Sequence, residues 1–115
     1  MKTIFITIIL LFNTSLIAES SLETVIKLDA QIKVLKVEMN LKINILKKEL
    51  DITGQELFQN EQKAWEKYLK TKTIFTADRY RGGTLSKIIA LKAMLETIKI
   101  RLRQIENYIE IYNTT

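Results

Sequence analysis

Apolar residues recur every three or four positions along most of the chain. Leu28, Ile32, Leu35, Met39, Ile43, Leu46 and Leu50 form one such run. Leu85, Ile88, Leu95, Ile98, Leu102, Ile105, Ile109 and Tyr112 form another. That spacing keeps apolar side chains on one side of a helix and predicts two long amphipathic helices. Between them Leu57, Phe58, Trp65, Tyr68 and Phe75 alternate with Lys and Glu, which predicts a third. Asp51 to Gly54 marks the first break and Gly82-Gly83 the second, a turn that calls for positive φ. Ser20-Ser21-Leu22-Glu23 and Thr53-Gly54-Gln55-Glu56 both fit the capping box, and Thr84 is the expected N-cap of the last helix. The outer helices should be roughly 28 residues and about 40 Å long, with the middle one shorter. The fold class expected is all-α, an antiparallel bundle of about three amphipathic helices.

Some apolar positions fall off these stripes: Val34, Val37, Leu41 and Ile45 on the first helix, and Ile89, Met94 and Ile100 on the last. They widen the core, or they form the seam of a homodimer.

The first twenty residues read differently. Met1-Lys2 is a positive start, Thr3 to Phe12 is an apolar run too short to span a membrane, and small and polar residues follow to Ser20. This order predicts a signal peptide over residues 1–18, cut after Ala18 or alternatively after Ser20, and a helical domain over 21–112. With no cysteine near the boundary, a lipid anchor is not expected. An exported protein of the periplasm or extracellular space is the reading that follows.

Composition narrows the chemistry. The 115 residues suffice for one domain, and 47% hydrophobic with 27% charged residues describes a folded chain. Proline is absent and glycine occurs three times, which favours helices. The formal net charge is +5, and residues 1–18 carry only Lys2 of it, so the mature domain stays basic. A basic exported domain suits an anionic lipid or polymer surface, whereas nucleic acid is not an expected partner. There is no His and no Cys, so the usual general bases, thiol nucleophiles and transition-metal ligands are missing. Glu106 and Glu110 are neighbours on a helix, but a solvated pair of this kind lacks the cleft that a catalytic pair needs. No catalytic, cofactor or metal residue is assigned, and the chain is read as a non-enzyme. Lys63, Lys67 and Lys70 share a helix face, with Lys72, Arg79 and Arg81 close behind. They form either a solvated face or a contact for an anionic partner.

The stretch from Gln62 to Thr84 adds a pattern. Gln62, Trp65 and Tyr68 are three apart, and Gly82-Gly83-Thr84 comes further along the same stretch. Upstream stand Met39-Asn40, Leu46 and Leu50, and downstream Arg101. In this order and spacing the chain resembles the lysozyme inhibitor LprI-like N-terminal domain family, small exported helical domains, over roughly Asn40 to Ile105. The matched residues are Asn40, Gln62, Trp65, Tyr68, Gly82, Gly83 and Arg101. The resemblance implies a noncatalytic protein that binds a lysozyme or another envelope protein. It also implies a lost disulfide, since the family's paired cysteines would fall at Thr73 and Ala93. The Arg-Asp that follows the family's aromatic is Leu69-Lys70 here.

The matched residues have a structural expectation of their own. Trp65 and Tyr68 should pack between the long helices, and Gln62 should bond to backbone near Gly82-Gly83. Arg101 should pair with a carboxylate or a helix-end carbonyl. Animal-type lysozymes are cationic, so the contact for one would be acidic. Glu56 and Glu61, with Glu49 and Asp51, are the candidates; Lys63, Lys67 and Lys70 are those for an anionic partner.

Overall fold

The computed structural model describes the backbone of residues 2–114 and the side chains of residues 21–114. Its three helices are α1 (Lys2–Glu49), α2 (Ile52–Asp78) and α3 (Thr84–Asn113). The expected all-α bundle is therefore what forms. The predicted signal peptide and its cleavage points lie outside the residues whose side chains are described. Among the described residues no helix is long and apolar enough to cross a membrane.

α3 packs along both other helices. Lys42 meets Glu106 while Leu35 lies beside Leu95, so α1 and α3 run parallel. Gln62 meets Arg101 and Ser86 bonds to Ala77, so α2 runs against α3. The core lies mostly between α1 and α3. Leu28, Ile32, Met39 and Leu46 face Leu95, Ile98, Leu102 and Ile105, and α2 adds Phe58. Leu46, Ile98 and Ile105 are the largest fully buried side chains. Each such side chain contributes about 1.5–3 kcal/mol by leaving water.

The breaks differ in detail from the sequence expectation. Asp51, not Thr53, caps α2: its backbone is extended and its Oδ1 accepts from the Gly54 amide at 2.7 Å. A Cβ at Gly54 would stand 3.1 Å from Asp51 Oδ1 and 3.4 Å from the Leu50 side chain, so a larger residue there would press on the cap. Gln55 then donates to the carbonyls of Lys47 (3.0 Å) and Leu50 (3.1 Å), satisfying the exposed end of α1. Ser21 to Glu23 lie inside α1 rather than at its start. At 27 residues, α2 is nearly as long as α3, with 30, because its polar half still docks on α3. Gly83, with an extended backbone, is the N-cap of α3, one residue before Thr84.

Gly82 has a φ of +86°, the positive value expected of this turn, and nothing lies within 4 Å of where its Cβ would be. The strain of a side chain there is therefore purely a backbone matter. Gly82→Ala is expected to cost about 1 kcal/mol, and Gly82→Asn less, read as shifts in the urea midpoint. Equal stability of wild type and the alanine variant would contradict the turn geometry.

Candidate functional site

The family-pattern residues meet at Arg101. This arginine is 2% exposed, on the α2-facing side of α3. Its Nε donates to Gln62 Oε1 at 3.0 Å, and its Nη1 donates to Glu61 Oε1 at 2.6 Å and to Gln104 Oε1 at 3.2 Å. Three rings surround the guanidinium: Phe58 at 5.6 Å, Tyr108 at 5.8 Å and Trp65 at 5.9 Å from Cζ to ring centroid. Nη2 is buried with no hydrogen-bond acceptor among the described residues. The faces of the rings offset part of that cost electrostatically. Phe58 and Tyr108 themselves meet edge to face.

Helical spacing explains why these side chains converge. Phe58, Gln62, Trp65 and Leu69 recur by threes and fours on α2, as do Thr97, Arg101, Gln104 and Tyr108 on α3. The two stripes face each other in the antiparallel pair. Gln62 also donates to Met39 Sδ at 3.7 Å, which ties the node to α1. It does not reach Gly82-Gly83, which lie some twenty residues away, about 30 Å along α2.

Glu61 is the node's link to solvent. Its side chain is 47% exposed, and its Oε1 accepts from the Tyr108 hydroxyl (2.8 Å) as well as from Arg101. Partial burial works against its charge, but the hydrogen bonds from Arg101 and Tyr108 and the Arg101 charge prevail, holding the carboxyl below its ordinary 4.5. Tyr108 is pushed above its ordinary 10.0, first by donating to Glu61, then by burial and by the Glu61 charge.

The signs of the linkage follow. The Glu61 contribution is present above pH 4.5 and is lost as pH falls through its lower folded value. The Tyr108 contribution is present below pH 10.0 and is lost as pH rises through its higher folded value. Because Glu61 is half exposed, its share is under about 1 kcal/mol. Acid titration of stability should therefore fall less steeply below pH 4.5 in Glu61→Gln than in wild type. Parallel curves would remove the assigned link.

Beside the node is a pocket of about 190 Å³ at the α1–α2 turn, where Leu46, Leu50, Gly54, Leu57 and Phe58 meet Glu61, Tyr108 and Tyr112. It is an apolar recess with one ionised carboxylate at its wall. Glu56 is exposed on the same end of α2. Asn40 is exposed on α1, and Lys63, Lys67 and Lys70 are all exposed on α2. Tyr68, expected between the helices, is 51% exposed with Lys72 Nζ 5.6 Å from its ring centroid. It lies on the outer side of α2, whereas Trp65 packs against the core. The sequence pattern therefore divides: Gln62, Trp65 and Arg101 converge, while Asn40 and Tyr68 stand apart.

Of the two partners the sequence leaves open for Arg101, a carboxylate and a helix-end carbonyl, the carboxylate of Glu61 is the one found. Phe58, Gln104 and Tyr108 join it without having been singled out for it by the sequence. The signal for the cluster was the matched three-and-four spacing of polar and aromatic residues on two helices. Among the described residues no group of carboxylates is arranged to hold a metal ion.

Comparison with known proteins agrees with the motif. The family model for lysozyme inhibitor LprI matches residues 15–105, which include Arg101 and its partners other than Tyr108, the glycine turn and most of all three helices. No curated protein and no solved structure gives a match. The chain belongs to the lysozyme inhibitor LprI family.

Proposed function

We propose that the protein is exported, has no catalytic activity of its own, and acts by binding a lysozyme through the pocket at the α1–α2 turn. The observation that carries this reading is the pairing of an apolar recess with Glu61, whose charge the Arg101 and Tyr108 contacts maintain. A cationic wall-cleaving enzyme offers side chains that suit both parts: an aliphatic or aromatic stem for the recess and a positive end for the carboxylate. Glu56 and Glu49 add negative charge nearby, although the domain as a whole is basic. Arg101 itself shapes this end without touching the partner, while Glu61, Phe58 and Tyr108 of its node face the pocket.

The test is lysis of cell-wall suspensions by a cationic lysozyme with increasing amounts of the full chain. Inhibition that saturates, and weakens about tenfold or more between low salt and 0.5 M salt, is expected for a contact of this charge. An unchanged lysis rate at micromolar protein would overturn the proposal.

A second reading rests on the other end of α2. There Ile74 and Phe75 are 63% and 81% exposed beside the basic run of Lys63, Lys67, Lys70 and Arg79. Exposed aromatic and aliphatic side chains among lysines suit an anionic lipid surface. Co-sedimentation with anionic but not neutral vesicles is the outcome that this reading requires.

A further inference from the structure

α1 carries two apolar faces, and only one is used. Leu28, Ile32, Leu35, Met39 and Leu46 point toward α3. Ile26, Ala30, Val34, Val37, Leu41 and Ile45 lie about 180° round the helix from them and face away from the bundle. Of these, the five larger side chains are 48% to 66% exposed. A face opposite the core cannot be extra core, so the off-stripe residues of α1 do not widen the bundle, whereas Met94 of α3 does pack against the core.

We infer that this second face of α1 joins two copies of the chain in a parallel, two-fold symmetric pair. Three observations favour a second copy. The first is size: from Ile26 to Ile45 the stripe runs about 30 Å. Covering it on both copies removes on the order of 1,000 Å² from water, the lower bound for a specific interface. The second is charge. One flank of the stripe carries Lys33, Lys36 and Lys47 with Asp29, and the other carries Glu38 and Glu49 with Lys42. Lys27 and Lys48 stand on the seam line at its two ends, seven residues from Val34 and Leu41. A parallel two-fold sets each flank against the opposite flank of the other copy, bringing Lys33 to Glu38. An antiparallel pair would set the lysine-rich flank against itself. The third is shape. A recess of about 340 Å³ lies at the edge of the stripe, lined by Ala30, Gln31, Val34, Leu35, Leu95 and Lys99. The same parallel register aims the exposed Ile26 of one copy at Gln31 of the other, at the mouth of this recess.

The pair places Ala30, Val34, Val37 and Leu41 on the seam, each meeting its own counterpart near the two-fold axis. It leaves the pocket at the α1–α2 turn open on both copies, so the pair would present two such pockets. The inference does not depend on what that pocket binds.

Sedimentation equilibrium of the full chain over a wide concentration range tests the pairing directly. A reversible dimer is expected, and Leu41→Glu should weaken it more than about tenfold while keeping the helical signal, since Leu41 is outside the core. Lys33→Glu or Glu38→Lys alone should weaken it about fivefold, with the double exchange recovering most of the loss. The chain has no cysteine, so Ala30→Cys introduces a single thiol, which should oxidise to a covalent dimer only if the two α1 helices are parallel. A monomer at all concentrations overturns the inference. So does a dimer whose Ala30→Cys form does not oxidise, or a monomer that uses this face on anionic vesicles and loses vesicle binding in Leu41→Glu.

Discussion

Arg101→Ala should lower the free energy of unfolding by about 3–4 kcal/mol, the largest effect expected of any single change outside the apolar core. The substitution strips hydrogen bonds from Glu61, Gln62 and Gln104 together and leaves Phe58, Trp65 and Tyr108 around an empty space. Both terms act in the same direction. The Glu61 side chain is 47% exposed and can recover water, which keeps the loss below that of a fully buried pair. Arg101→Lys retains the charge but not the planar fork, so it should lose about 2 kcal/mol. Arg101→Met with Glu61→Gln removes the charges and refills the space, and should fall short of Arg101→Ala by about half. Chemical denaturation followed by circular dichroism reads all three. A loss under about 1 kcal/mol for Arg101→Ala would mean that the node does not hold α2 to α3.

A second large effect should come from restoring the bridge that the family pattern implies. Thr73 shares the α3-facing stripe of α2 with Trp65 and Leu69, and Ala93 shares the α2-facing stripe of α3 with Thr97 and Arg101. The register set by Gln62–Arg101 and Ala77–Ser86 brings Thr73 within one helical turn of Ala93. Thr73 is 9% exposed, and its hydroxyl is satisfied by the Leu69 carbonyl at 2.7 Å, so no bond to another element is lost on replacement. Thr73→Cys with Ala93→Cys should oxidise to an intramolecular disulfide and raise stability by about 3 kcal/mol, a gain abolished by reductant. Persistent free thiols under mild oxidant would show that the helix register is wrong.

Much of the fold was legible because long helices with regular apolar spacing leave few alternatives. The two seven- and eight-residue stripes correspond closely to the α1 and α3 sides of the core, and the glycine turn sits where the pattern breaks. What escaped notice depended on tertiary pairing. Thr53 and Asp51 are both good caps by residue type, and it is Asp51 whose side chain accepts the Gly54 amide. Tyr68 and Trp65 are equally plausible anchors by composition, but three residues of helix turn Tyr68 away from α3. Gln62 was legible as a motif residue, while its partner was not, since nothing local says that α3 will place Arg101 opposite. The second apolar face of α1 was visible as off-stripe residues. Its direction became clear only once α3 had taken the other side.

The family's Gln, Trp and Arg thus build a scaffold, and contact with a partner is assigned to residues at its edge. Leu57 separates the two roles: it lines the pocket, is 65% exposed, and lies outside the Arg101 node. Calorimetric titration of a cationic lysozyme with the full chain, beside Leu57→Lys of matched unfolding temperature, is the most direct test. Saturable binding by the wild type and at least about tenfold weaker binding by the variant is the predicted result. Absence of binding by the wild type, or equal binding by both, would contradict the account.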